Sequence, residues 1–356
     1  MKAKLVVLTL IFTLLLPSQL FAEKTLDPVK SITFKDVEPL MRARSQAIID
    51  NSQTFSGAST SFSRSTSSFD SYIGSAQAKY DSNAAIGAGI NQDLAEAFKQ
   101  LQFLLVIQKS SLVGSTNLTN TGYSLEMTND KIVYSAEAMY ISYNQLNYQL
   151  ESSIAAKALL EKRLEATKLQ QQLGMVSTIA TLDAEKQLEE TDLAIKTTKE
   201  SMNSIKQQFN IWFAQNYDTD LAIGDVPQVS DSTISAINVD EDYLEAEKKS
   251  YNVRMNEDID KKNNEKRTFK SGFYKAYQKI LDKQKALSVA EKKFDLAKKN
   301  IESAEIKYKL GMLSTLQLLG EQSSFAATKA SYENAQFDLF KAYREYEWAK
   351  RGVIVV

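Results

Sequence analysis

The sequence predicts a mainly α-helical protein made of a tandem repeat of long antiparallel coiled-coil hairpins, with little or no β-structure. Three observations point there. Only four prolines occur in 356 residues, and none lies between Pro39 and Pro227 or beyond Pro227, so long helices meet no obstruction. Apolar residues recur every seven positions along two long stretches. A short corner is written twice, as QLGMVST from Gln172 to Thr178 and as KLGMLST from Lys309 to Thr315.

The chain opens MKAKLVVLTLIFTLLLPSQLFA. Lys2 and Lys4 give a basic start, Leu5 to Leu16 an apolar run, and Pro17 to Ala22 a less apolar exit. The run rises only about 18 Å as a helix, short of a bilayer and fitting a secretory signal cleaved after Ala22. Residues 1–22 are therefore read as a signal peptide and the protein as exported. An uncleaved anchor is the competing reading.

Composition narrows the function. The chain holds 43 basic and 44 acidic side chains, and loss of Lys2 and Lys4 with the leader brings the net charge from −1 to −3. No basic footprint for nucleic acid results. The absence of cysteine removes disulfides, thiolate catalysis and zinc–sulfur sites. The absence of histidine removes the commonest general base and metal ligand. No G-x-S-x-G, phosphate loop or calcium loop occurs, so neither an enzyme nor a metal or cofactor site is expected.

From the N-terminal side, SITFKDVEPLMRARSQAIIDN opens the first repeat. Between Ser52 and Tyr80 a serine-rich stretch carries Phe55, Phe62, Phe69 and Ala76 every seven residues. That phase reads as a helix with a narrow aromatic seam; a polar linker is the alternative. Gln102 to Met127 holds either a weak strand hairpin around Gly114 to Gly122 or a helix break. Met139, Tyr143, Leu146, Leu150, Leu160 and Leu164 then form a seam leading to the first corner.

At that corner Gly174 ends the incoming helix, and Ser177 and Thr178 cap the outgoing one. Leu188, Ile195, Met202 and Phe209 continue the seam, with mostly small residues on the second row. Asn216 to Tyr243 breaks the helical pattern with Gly224, Pro227 and several Asp and Ser, and LAIGDVPQV within it suits a short strand. Phe294, Ala297, Ile301, Ala304 and Tyr308 lead to the second corner, where Ser314 and Gln317 have capping-box spacing. Phe325, Tyr332, Leu339 and Tyr346 carry the seam away. Each outgoing arm of about 40 residues would reach roughly 60 Å. The expected division is 23–238 for the first repeat, with its tip at 173–178, and 239–356 for the second, with its tip at 310–315. A second face, exemplified by Tyr134, Ile141, Tyr148 and Ile154, favours oligomerisation.

The paired corners, each before a long heptad helix, resemble the Y-x-x-G-x-x-[ST] corners of the TolC-like outer-membrane efflux factors. The second corner fits from Tyr308, while the first has Gln171 in place of the tyrosine. Tyr308 to Gly352 is similar to the C-terminal helix of that family, and Gln208 to Val229 to the end of its first repeat. The resemblance spans roughly Ser31 to Gly352. It implies a homotrimer whose hairpins pack side by side into a helical conduit in the cell envelope, exporting substrates with a periplasmic adaptor and an inner-membrane pump. It places adaptor docking at Leu173, Gly174, Met175, Ser177 and Thr178, and at Leu310, Gly311, Met312, Ser314 and Thr315. Capping alone also accounts for the Gly, Ser and Thr; the methionines add adaptable apolar contacts.

Two departures from the family pattern stand out. Acidic residues ringing the aperture are expected six and nine positions beyond each corner glycine, but only Asp183 matches; Ala180, Gln317 and Gly320 do not. Asp183 also reads as a solvated charge near a helix start. The second arm, from Leu244 to Gly311, is half as long as the first, from Leu40 to Gly174. It holds no alternating run suited to a lipid-facing strand, so the usual barrel lacks its second strand pair. Two readings therefore remain. One is an efflux conduit, at the outer membrane or periplasm of a host with an outer membrane. The other is a barrel-less exported coiled-coil protein that docks a partner in the envelope.

Overall fold

The computed structural model describes residues 27–57, 62–85, 90–114 and 118–355. The expected signal peptide, 1–22, lies outside these residues. Two strands and eleven helices follow in order: β1 (Ser31–Ile32), α1 (Phe34–Arg44), α2 (Gln46–Gly57), α3 (Phe62–Ala84), α4 (Ile90–Gly114), α5 (Leu118–Gln172), α6 (Thr178–Trp212), β2 (Ala222–Ile223), α7 (Asp231–Ser235), α8 (Val239–Lys249), α9 (Tyr251–Met255), α10 (Ile259–Lys309) and α11 (Thr315–Lys350). The mainly α class read from the sequence is the class observed. β1 and β2 pair in parallel, Ser31 with Ala222 and Ile32 with Ile223, so the short strand expected in LAIGDVPQV forms.

Two antiparallel hairpins dominate, α5 with α6 and α10 with α11, and α11 packs against α5 to join them. The heptad rows are the inward faces. Thr198, Ile205 and Phe209 on α6 and Leu339, Ala342, Tyr346 and Ala349 on α11 are buried. Phe294 lies flat against Tyr332, ring centres 4.8 Å apart, so the aromatic seam of the second hairpin is stacked across it. The outgoing helices are 35 and 36 residues long, somewhat short of the expected length.

Both repeats open alike. Thr33 caps an eleven-residue α1, and Asn238 an eleven-residue α8. Each helix then turns at a serine buried to 1% exposure, Ser45 or Ser250, before the next begins. The repeats diverge immediately afterwards. In the second, α9 leads at once into α10. In the first, α3 and α4 fold on each other as an additional helical hairpin before α5. This hairpin explains the longer first arm.

The stretch from Gln102 to Met127 is helical wherever it is described, in α4 up to Gly114 and in α5 from Leu118, and among these described residues no strand hairpin is found. The serine-rich stretch is helical too where it is described, in α2 up to Gly57 and in α3 from Phe62. Of its aromatic row, Ala76 is buried beside Leu105 and Leu125, while the side chains of Phe62 and Phe69 lie outside the described set. Phe55 is half exposed, its ring against Gly122.

The principal core lies where α1, α2, α5, α6 and α11 converge. Phe34 sits edge-on between Tyr140 and Phe340, at 5.6 and 4.7 Å. A second core joins α8, α10 and α11 around Phe273, Tyr243 and Tyr346. The second face expected to drive oligomerisation is largely covered within the chain. Ile141 is in the principal core, Tyr148 packs on Phe337 and Tyr134 hydrogen-bonds Glu345; only Ile154 remains half exposed. Periodicity identified an apolar face but not the neighbour that takes it.

Candidate functional site

The two corners are built from the same local parts. Gly174 has φ +71° and Gly311 φ +72°, the left-handed conformation that ends a helix at no steric cost to glycine. Around Gly174 its own N–H donates to the Gln171 carbonyl (2.9 Å) and the Met175 N–H to the Gln170 carbonyl (2.8 Å). Around Gly311 the matching bonds run from Gly311 to Tyr308 (2.9 Å) and from Met312 to Lys307 (2.8 Å). The last turn of each incoming helix thus has partners for carbonyls that would otherwise be unpaired.

The outgoing helices start on serine. Ala180 N–H donates to Ser177 Oγ (3.3 Å), and Gln317 N–H to Ser314 Oγ (3.2 Å). Gln317 returns the contact by accepting from the Ser314 N–H at 2.9 Å, completing the capping box. The residue three before each glycine bridges the corner. Tyr308 Oη lies 3.3 Å from Thr315 Oγ1. Gln171 Nε2 donates to Thr178 Oγ1 (3.2 Å), and Gln171 Oε1 accepts from Thr181 Oγ1 (2.7 Å). The glutamine that departs from the expected tyrosine makes the same crossing by another chemistry.

These bonds tie down the backbone and leave the apolar side chains outside. Leu173, Met175, Leu310 and Met312 are 66–70% exposed, and Ile179 and Leu182 extend the patch along α6. A Cβ added at Gly174 or Gly311 would meet no heavy atom within 4 Å, so each corner faces open space. Asp183 is exposed just beyond the first corner, and Gly320 holds the matching place in the second without an acid.

Both corners lie at the same end of the molecule. α5 and α11 run antiparallel, with Tyr134 bonded to Glu345 far from the corners and Glu151 to Lys329 nearer to them. Since α5 runs toward the first corner and α11 away from the second, the two tips point the same way.

What holds this alignment escaped sequence reasoning. Glu137, almost fully buried, accepts from Arg344 at 2.6 and 3.1 Å and from Trp348 Nε1 at 2.9 Å. Glu345, also buried, accepts from Lys279 (2.6 Å) and Tyr134 Oη (3.1 Å), joining α10, α11 and α5. Asp130 binds Arg42 (2.6 Å) and Tyr251 (3.0 Å), joining α5 to α1 and α9. An acid in an otherwise apolar helix face was the available signal, but its partners lie too far along the chain to be inferred.

With this geometry in hand, the molecule has the fold of the TolC-like outer-membrane channels. The CusC transmembrane channel matches with a TM-score of 0.54 over 89% of this chain and 96% of that one, at 12% identity. The CmeC outer-membrane channel of Campylobacter jejuni matches with a TM-score of 0.50 over 90% of this chain and 86% of that one, at 11% identity. No protein-family model and no curated protein sequence matches the chain. The likeness is therefore one of fold. Among the described residues no helix is long and apolar enough to cross a membrane.

Proposed function

We propose that this chain is a cell-envelope efflux or export component that performs no chemistry. Copies assemble side by side, as a trimer, into a helical conduit. An adaptor in the periplasm docks at the two tips, and an inner-membrane pump supplies the energy. The observation that carries this reading is the exposure of Leu173 and Met175, and of Leu310 and Met312, on two matching capped corners at one end of the molecule. Rigid backbone with flexible thioethers suits a docking knob that must adapt to a partner's groove. Asp183 lies one and a half turns beyond the first tip and would add charge at the aperture.

A second reading is an exported coiled-coil protein with a partner-docking role and no barrel of its own. The observation in its favour is that α10 runs unbroken for 51 residues through the second arm, where the conduit reading looks for strands.

Light scattering of the exported chain, with and without mild detergent, separates the two. A trimer in detergent supports the conduit, and a monomer or dimer indifferent to detergent supports the coiled coil. Docking is tested by Met175→Asp together with Met312→Asp. Export by cells carrying the variant should fall while helical content and assembly state stay unchanged; full export would refute tip docking.

A further inference from the structure

Between the additional α3–α4 hairpin and the base of the α5–α6 hairpin lies a cavity of about 300 Å³. Its walls are mainly apolar, including Phe98, Leu101, Leu105, Met139 and Trp212. Two polar side chains of different elements meet in it. Lys79 Nζ donates to Gln208 Oε1 at 2.9 Å and stands 5.5 Å from the centre of the Phe98 ring. Gln208 is 8% exposed, and its Nε2 has no hydrogen-bond partner.

The orientation of that amide follows from its neighbour. An ammonium can only donate, so Gln208 must present its oxygen to Lys79 and turn its NH₂ away. A buried amide N–H without a partner bears the full desolvation penalty of the group. Lys79 has that amide oxygen as partner but no counter-charge: burial holds its ammonium below the ordinary lysine value, and among the described residues no carboxylate pairs with it. The cavity wall thus carries a part-buried cation and a buried, unused amide donor beside apolar side chains, with no acid among the lining residues.

We infer that this cavity binds an amphipathic monocarboxylate, such as a medium-chain fatty acid, with the carboxylate on Lys79 Nζ and Gln208 Nε2 and the alkyl chain along Leu101, Leu105 and Trp212. One carboxylate supplies the counter-charge and the missing acceptor, two acceptor oxygens for two donors on adjoining side chains. The volume holds about ten non-hydrogen atoms at about 30 Å³ each, the size of octanoate. The site belongs to the first repeat alone, since α3 and α4 have no counterpart between α9 and α10. It is independent of the conduit reading.

The test is calorimetric titration of the full exported chain with octanoate, octanol and acetate, with Trp212 fluorescence as a second readout. Octanoate should bind at one site per chain, and octanol and acetate at least about tenfold more weakly, because each lacks one half of the recognition. Lys79→Met should weaken octanoate about tenfold, and Gln208→Leu by a smaller factor, with helical content unchanged. Absence of octanoate binding overturns the inference, as does equal binding of octanol or of acetate. Unchanged affinity in a folded Lys79→Met does the same. If either variant fails to fold, the three-ligand series on the unaltered protein decides alone.

Discussion

Glu137 and Arg344 belong to different repeats, yet their side chains meet in a two-point contact of 2.6 and 3.1 Å at the junction of α5 and α11. Trp348 completes the arrangement by donating to the same carboxylate. Removing one member of a buried ion pair leaves the other uncompensated, at about 3–5 kcal/mol. Glu137→Ala should therefore lose about 3 kcal/mol in urea unfolding followed by circular dichroism. Replacing both partners, Glu137→Leu with Arg344→Met, should recover only part of that loss, since Trp348 Nε1 then lacks its acceptor. A loss under about 1 kcal/mol in the single variant would place the joint between repeats elsewhere.

Three glycines with positive φ should rank in a definite order. At Gly174 and Gly311 nothing stands near an added Cβ, so alanine should cost only the backbone term, about 1–2 kcal/mol. Gly352, at φ +91°, would place a Cβ 2.5 Å from the backbone of Lys249, at the turn where Ser250 separates α8 from α9. Gly352→Ala should destabilise clearly more than either corner variant. Denaturation midpoints of the three variants check this, and equal costs would contradict the close approach.

At the first corner, Gln171 substitutes for the tyrosine found at the second. Gln171→Ala loses both threonine contacts and should cost about 1 kcal/mol, whereas Gln171→Tyr should stay within about 0.5 kcal/mol of the parent. Thermal unfolding of the two variants distinguishes a bridging role from a merely solvated glutamine, which would make them equivalent.

Stability should decline at alkaline pH. Burial, then the hydrogen bond to Asp242, pushes the Tyr346 phenol well above the ordinary tyrosine value of 10.0. Burial, then the charge of Asp225, raises Tyr140, and burial with Glu345 raises Tyr134. The folded form holds these protons more tightly than the unfolded one. Their contribution is thus whole below pH 10.0 and is lost as pH rises from there toward the folded-state values. Unfolding midpoints across neutral to strongly alkaline pH should fall only above that point, and more gently in Tyr346→Phe. A profile unaltered by that substitution would show that the phenol does not contribute to the decline.

Local features made much of this architecture legible. Gly174 and Gly311 need a left-handed backbone, and Ser177 and Ser314 cap helices, for reasons contained within a few residues of each. The seam rows through Phe209 and Tyr346 follow from helical period alone, so the class and the hairpins could be read directly. The corner substitution of Gln171 for tyrosine was visible in the sequence, but not that both residues reach across to a threonine.

By itself, then, the sequence determined where the helices flanking the two corners run, where they turn and which face of each is apolar, because all three depend on interactions between residues close in the chain. Only the tertiary structure decided that the longer first arm folds as the α3–α4 hairpin, and that α11 takes the face of α5 around Tyr134 and Ile141. It alone paired Glu137 with Arg344, and brought Lys79 to Gln208 beside an apolar cavity. Such contacts join residues far apart in sequence, and charge or burial at one of them does not identify the other until packing brings the helices together.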